Sequence, residues 1–371
     1  MSLRILVLID AFTYGGAQKV LLTLVPEWVK AGCDIEVVLI QDNAREMQLK
    51  SLEDLGVRIH RVSAKNMFDI RAMATLIGLA KKFRPTHIQS HLYWAQIWGV
   101  FARISVSGSR LFWVEHNTYF NRTDSQWFLY RIMARFAYQI ISVSYEVQRF
   151  LDSKNIGSSE VILNPISHQF SYRSDIEKTN TFVFLGRLND QKNPRLAISA
   201  FEFAKVNKLI NEDAKLVIGG EGPLLGSLRS VVLELDSKES ITFAGQLTEL
   251  QTVKLLQSSI SLISTSKFEG FSLVRVEALA TGATVVSTRT GGMMGILTVS
   301  PNSDQLISGV ILTEPEVIEI AKAMSAVSDP VFWSDISIYE RVKASKRHDP
   351  KKIADDYLVS FNKTDLSEDL G

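Results

Sequence analysis

A chain of 371 residues exceeds what one ordinary core organises, so two domains are expected. Hydrophobic residues make up 46% and charged residues 22%, the balance of a soluble globular chain, and a net charge of +1 gives no case for nucleic acid as a partner. A single cysteine, Cys33, excludes an internal disulfide and a cysteine-based zinc site and fits a reducing, cytoplasmic compartment.

In chain order, "MSLRILVLIDAF" opens with a short apolar run and one Arg. No small-residue cleavage site follows it, so it reads as a buried strand and not as a signal peptide. "GAQKVLLTLVPEWVKAG" predicts a helix ending at Gly32, with Cys33 a bystander just beyond it. "DIEVVLIQ", "VRIHRVS", "THIQSH", "RLFWVEHN" and "QIISVS" predict further strands with helices between them. That alternation is a βαβ series, hence a parallel sheet covered on both faces. The pattern breaks near Asn164 and Pro165, where "SHQFSYRSDIEKTNT" reads as a polar linker or domain edge. A second series follows: "TFVFLGRL", "AKLVIGGEG", "SITFAGQL", "SISLISTS", "ATVVSTR" and "GVILT". A last helix, "KKIADDYLVSFNK", precedes a polar end. No stretch approaches the ~20 apolar residues of a membrane span. The expected fold is α/β, two doubly wound Rossmann-like domains facing a central cleft. The expected limits are 1–167 and 168–351, with a helix over about 352–371 packing back on the first domain.

Ligands of doubly wound sheets bind beyond the carboxyl ends of the strands, so motifs in those loops matter most. "KFEGFSLVRVEALATG" follows the strand "SISLISTS". Ser272 is placed to cap a helix from Leu273 to about Ala280, and Gly282 to end it. Such a helix start suits a phosphate. Glu269 on the loop and Glu277 two turns in then suggest hydroxyl recognition beside a phosphate. The plainer alternative is one loop glutamate and one solvated one. In "FLGRLNDQKN", Arg187 and Lys192 follow a strand and suit a diphosphate, though two solvated charges would look the same. "DAFTYGGAQKV" puts Gly15 and Gly16 in the first strand-to-helix turn, where a ligand can approach the backbone or where a turn is simply tight. It is not G-x-G-x-x-G, which disfavours a dehydrogenase. "GGEGPL" has the same logic on the second sheet. His91 and His116 end successive strands. No D-x-D pair and no H-E-x-x-H occur, so cationic side chains are expected to replace a metal, and no cofactor is expected.

Charge is uneven. From Gly56 to Tyr138 there are twelve Lys and Arg against three acids. Within that stretch Trp127, Arg131 and Arg135 lie four apart, hence on one helix face, a pairing that suits an anionic membrane surface.

Taken together, in order and over nearly the whole chain, these motifs resemble the retaining GT-B glycosyltransferases of family 4. "EGFSLVRVEALATG" is similar to the family's E-x7-E element, and "YGGAQKVL", "RPTHIQSH", "VEHN", "LGRLNDQKN" and "GGEGPL" to its other elements. The resemblance implies transfer of a sugar, with retained configuration, from a nucleotide-diphosphate sugar, UDP-linked by expectation. The implied acceptor is a glycan or a polyprenyl-linked molecule in bacterial surface polysaccharide or glycoconjugate assembly, reached from the cytoplasmic face of the membrane. It implies an acceptor-side first domain and a donor-binding second domain. It implies Glu269 on the donor sugar, Glu277 on the ribose, Arg187 and Lys192 on the leaving diphosphate, and His116 near the reacting centre. Gly16 would let the first domain close on the diphosphate. Gly15, Gly220, Glu221, Gly270, Phe271, Ser272 and Leu273 complete the expected donor site, and His91, Asn117, Arg131 and Arg135 the acceptor side. The chain departs from the family pattern at Gln18, Ser272, Thr284 and Gly295. Two alternatives are a nucleotide-sugar epimerase sharing the architecture and an inactive paralogue that binds nucleotide sugars.

Overall fold

A computed structural model of the chain describes residues 3–13, 15–118, 123–157, 159–290, 296–298 and 305–363. It divides the chain into two compact units, Met1–Pro165 with Pro350–Gly371, and Ile166–Asp349.

The first unit holds strands β1 (Arg4–Ile9), β2 (Asp34–Leu39), β3 (Arg58–Arg61), β4 (His87–His91), β5 (Arg110–Glu115), β6 (Gln139–Ser142) and β7 (Glu160–Val161). Its helices are α1 (Gly16–Lys30), α2 (Glu46–Glu53), α3 (Ile70–Phe83), α4 (Tyr93–Ser105), α5 (Asp124–Ala134) and α6 (Tyr145–Ser153). The seven strands are parallel, in the order β3-β2-β1-β4-β5-β6-β7. Both faces of the central strands are covered, which is why they read as apolar runs without alternation. Strand order reverses between β1 and β4, and a crevice opens beyond the carboxyl ends of such a pair.

The second unit repeats this logic with β8 (Thr179–Leu185), β9 (Lys215–Gly219), β10 (Ile241–Gly245), β11 (Ser259–Ser264), β12 (Thr284–Thr288) and β13 (Val310–Thr313). Its helices are α7 (Pro194–Val206), α8 (Leu225–Leu233), α9 (Glu249–Ser258), α10 (Leu273–Ala280), α11 (Val317–Ala326) and α12 (Asp335–Ser345). The order is β10-β9-β8-β11-β12-β13, all parallel, with the reversal between β8 and β11. Residues 167–178 carry no helix or strand, yet Phe170 is buried, so this stretch is packed and not a free linker.

Helix α13 (Pro350–Asn362) belongs to the first unit and lies along α1. Trp28 meets Tyr357 edge to face at 5.6 Å, and Phe361 meets Phe112 at 4.7 Å. The Trp28 indole donates to the Ala354 carbonyl at 3.3 Å, and a ring nitrogen of His87 lies 3.1 Å from the Phe361 carbonyl.

Two features of the second unit fix α10, the helix that carries Glu277. Gly282 follows it in the left-handed region, φ +76°, where a Cβ would meet the Tyr172 ring at 2.8 Å. Arg341, fully buried on α12, donates to the carbonyls of Gly282, Ser308 and Phe332 at 3.1, 3.2 and 2.8 Å. Burial lowers its pKa to about 10, which leaves it charged at neutral pH.

Two local expectations fail. Ser272 stands at the cap position of α10, but its side chain makes no capping hydrogen bond. Trp127 does not share an exposed face with Arg131 and Arg135. It is buried against Tyr130 and Phe150, with ring centroids at 5.8 and 5.9 Å, because α5 needs an aromatic knob there to cover the sheet. Arg135 lies one residue beyond the helix. Among the described residues, no helix is long and apolar enough to cross a membrane.

Candidate active site

The reversal point of the second sheet gathers the charged motifs. The chain leaves β8 through Gly186, and Arg187 follows with an exposed guanidinium that has no side-chain partner among the described residues. Lys192 lies on the same loop, just before α7. Its ammonium pairs with a carboxylate oxygen of Glu269, which also accepts from the Ser266 hydroxyl at 2.7 Å. Both partners of the ion pair are largely shielded, with side-chain exposures of 22% and 6%. The two residues assigned by resemblance to separate tasks thus meet each other.

Their loops are joined along their length. Thr265 Oγ1 donates to the Asn193 carbonyl at 2.8 Å, Lys267 N to the Gln191 carbonyl at 2.8 Å, and Gln191 Nε2 to the Phe268 carbonyl at 3.1 Å. Thr288 Oγ1, from the end of β12, donates to the Ser266 carbonyl at 2.7 Å. Gly270 is buried, and Phe271 stands edge-on to His348 at 5.5 Å. Leu273 and Ser272 open α10, both buried. Ser272 Oγ finds no hydrogen-bond partner among the described residues, so a buried hydroxyl without a partner belongs to the cap residue of a helix whose first N–H groups lack intrahelical acceptors. Glu277 is buried just over one turn along, not the two read from the sequence, and Arg275 between them is fully buried and donates to Ser264 Oγ at 3.1 Å and Thr290 Oγ1 at 2.9 Å.

The "GGEGPL" turn packs on the Arg187 loop. Gly186 N donates to the Gly219 carbonyl, and Leu188 N to the Glu221 carbonyl at 2.9 Å. A Cβ on Gly220, whose φ is +134°, would lie 2.0 Å from the Gly186 oxygen. Glycine there serves the close approach of the two loops' own backbones. The Glu221 side chain is exposed.

The first sheet has its own cluster at the β1/β4 reversal. Gly15 stands at the cap position of α1 with ordinary extended backbone, and a Cβ there would strike only the Gln18 side chain. Gln18 donates to the Ala11 carbonyl at 2.8 Å. Gly16 is the first residue of α1. Asp10, at the end of β1, accepts from Ala95 N at 2.7 Å and Trp94 N at 3.3 Å, closing the start of α4. His91 and His116 are both buried, their nearest nitrogens 2.9 Å apart, and Asn117 beside them is exposed. Burial pushes His116 down to about 4, and burial followed by the neighbouring His116 holds His91 well below the ordinary histidine range, so both rings are neutral. Arg131 is exposed and donates to the Lys154 carbonyl at 2.9 Å, while Arg135 is exposed. Gly295 and Tyr14 lie outside the described residues. Among the described residues, no group of three or more His, Cys, Asp and Glu forms a metal-binding cluster.

Sequence reading missed Asp10 and Arg275. An acid directly after a parallel strand was the available signal for Asp10, and an arginine inside an apolar helix run for Arg275.

Two family models match adjoining stretches: Glycosyltransferase Family 4 over residues 14–170 and Glycosyl transferases group 1 over residues 169–330. The chain belongs to this family and is a glycosyltransferase. It is 26% identical over 290 residues to the Campylobacter jejuni enzyme named GalNAc-alpha-(1->4)-GalNAc-alpha-(1->3)-diNAcBac-PP-undecaprenol alpha-1,4-N-acetyl-D-galactosaminyltransferase, covering 75% of this chain and 77% of that one. It is 24% identical over 193 residues to the Streptococcus pneumoniae alpha-monoglucosyldiacylglycerol synthase, covering 51% of this chain and 41% of that one. The fold matches the crystal structure of Anabaena HepE in complex with UDP-glucose at a TM-score of 0.79 and 19% identity, covering 96% of this chain and 99% of that one. GT-B neighbours of this kind share the two Rossmann-like domains.

Proposed function

We propose that the protein transfers a sugar from a UDP-linked donor to a hydroxyl of a lipid-linked glycan, with retained anomeric configuration and without a metal. The observation that carries this reading is the meeting of Lys192 and Glu269 on two hydrogen-bonded loops beside the start of α10. Cations, a helix start and the buried Ser272 hydroxyl suit a diphosphate, and the two glutamates suit hydroxyls. Arg187 and Lys192 stabilise the departing diphosphate, Glu269 orients the donor sugar, and Glu277 holds the ribose. His116 contacts the donor sugar, with His91 and Asn117 on the acceptor side. The first unit is then the acceptor domain and the second the donor domain. A UDP-glucose complex of a protein of this fold and relatives named for undecaprenol and diacylglycerol substrates support donor and acceptor class.

Glu277→Ala is expected to weaken UDP binding about ten- to a hundredfold, the worth of a hydrogen bond involving a charged group. Glu269→Ala is expected to spare UDP affinity and damage transfer. Calorimetric titration with UDP checks both, and parental affinity in Glu277→Ala removes the ribose role. An inverted anomeric linkage in the product, read by NMR coupling, removes retention.

The acceptor is proposed to lie at an anionic membrane. The basic stretch supports this without Trp127, because Phe101, Ile104, Phe128 and Phe136 are exposed on or beside the same helices as Arg103, Arg131 and Arg135. Each basic residue near such a surface adds about 1 kcal/mol, screened by salt. The protein is expected to sediment with anionic liposomes at low salt and be released as salt rises, and replacing Arg131 and Arg135 by Glu to weaken that binding. Indifference of the parent to anionic liposomes at low salt points to a soluble acceptor.

A further inference from the structure

We infer that His91 is a positioning residue that holds His116 in the tautomer with its proton on Nδ1, so that His116 meets the sugar as a hydrogen-bond donor and not as a base. This rests on the reading of His116 as a sugar contact.

The geometry constrains one proton. His91 is the last residue of β4 and His116 follows β5, its immediate neighbour in the sheet. The rings stack at 28° with centroids 5.2 Å apart, and His91 Nδ1 lies 2.9 Å from His116 Nε2. Two neutral imidazoles at that distance share one hydrogen bond, so one nitrogen carries the proton and the other accepts it. If His116 donated from Nε2, the proton of His91 would sit on its own Nε2. That atom is fully buried and has no hydrogen-bond partner among the described residues, so an orphaned N–H would result. If His91 donates from Nδ1, its Nε2 keeps only a lone pair. Orphaned buried N–H groups are the rarer of the two defects in folded proteins. His91 therefore donates, His116 Nε2 accepts, and the His116 proton sits on Nδ1. That nitrogen is not among the buried unpaired atoms, and His116 keeps 9% exposure, so it is open to a ligand.

The surroundings hold this arrangement rigid. Leu92, next to His91, has φ 72° and ψ 171°, a region that glycine alone adopts readily. The turn is forced because α4 begins one residue later, with its first N–H groups bound to Asp10. The His116 backbone N–H donates at 3.1 Å to Glu115, whose other oxygen accepts from Tyr130 at 2.8 Å. These contacts fix the backbone that carries each ring, and a ring turns only by breaking the shared bond.

The test uses the full chain with 15N in its six histidines only. A long-range proton–nitrogen spectrum at neutral pH separates protonated from bare ring nitrogens, and His91→Phe and His116→Phe assign the signals. The expected spectrum has a protonated Nδ1 and a bare Nε2 on both residues. A proton on His116 Nε2 in the parent overturns the inference, with no variant needing to fold. His91→Phe is expected to give a mixture of His116 tautomers, and His91→Asn, whose amide N–H falls near Nδ1, to keep the parental one. Turnover is read as UDP release from UDP-glucose or UDP-N-acetylgalactosamine, whichever the parent uses faster. His91→Phe is expected to lower kcat by about tenfold, the scale for losing a partner that orients a working histidine, with KM within about twofold. His91→Asn is expected to recover most of it. Parental kcat in His91→Phe overturns the positioning role and leaves His116 as a sugar contact. Parental kcat in His116→Phe overturns that contact itself, whatever the tautomer.

Discussion

Replacing Arg187 by Ala is expected to lower turnover by about 10²–10³, the scale of one preorganised electrostatic group, while excess chelator leaves the parental rate unchanged. The reason lies in how the two cations are housed. Arg187 has no side-chain partner among the described residues, so its charge is available to a developing anion, and its removal leaves the protein's own interactions intact. Lys192 is different, because its loss strands the Glu269 carboxylate at 6% side-chain exposure. Breaking one side of such a shielded pair typically costs about 3–5 kcal/mol. Arg187→Ala is therefore expected to keep the parental melting temperature, and Lys192→Ala to lose both melting temperature and turnover. Thermal unfolding beside a rate assay separates the two. Loss of parental activity with chelator, restored by a divalent metal, refutes the proposed metal-free departure.

Ending the chain at Asp349 is expected to unfold the first unit and spare the second. Helix α13 supplies Ile353, Ala354, Tyr357 and Phe361 to the first core, each at 2% exposure or less. Removing one large aromatic from a core costs about 3–5 kcal/mol. The deletion removes two with their neighbours and bares Trp28 as well, which is comparable to the whole of the ~5–15 kcal/mol that holds a domain together. Calorimetry on the parent and the truncated chain checks this. The truncated chain is expected to lose one unfolding transition, and limited proteolysis to leave a resistant core within 166–349. Retention of a protected first unit refutes the estimate.

Much of the fold was legible because parallel strands buried on both faces are short apolar runs that stand out without any partner being known. All six expected strands of the second series are present, and α10 runs from Leu273 to Ala280 as its apolar run and following Gly indicated. Side-chain direction was less legible. Ser272 has the right type and place for a cap, but its buried hydroxyl makes no capping hydrogen bond, which position alone does not reveal. The spacing of Trp127, Arg131 and Arg135 predicted one shared helix face, but Trp127 is buried and Arg135 falls one residue past the helix, because spacing tells neither which edge of a helix the core covers nor where the helix stops. The site's charged residues were visible as motifs after strands. The bond between His91 and His116, 25 positions apart, and the pairing of Lys192 with Glu269, 77 apart, depend on strand order, which no local pattern encodes. Glycines 220 and 222 showed only as a turn signal, though each answers to a carbonyl on the neighbouring loop.

The return of α13 to the first unit also sets an order of events during synthesis. The residues that complete the first core leave the ribosome after every residue of the second unit has been made. At about 5–20 residues per second, the stretch 166–349 occupies roughly 10–40 s. For that interval the nascent first unit carries Trp28 without Tyr357 and Phe112 without Phe361, while the later-made unit already has its whole sequence. The part of the chain made first is thus the part finished last.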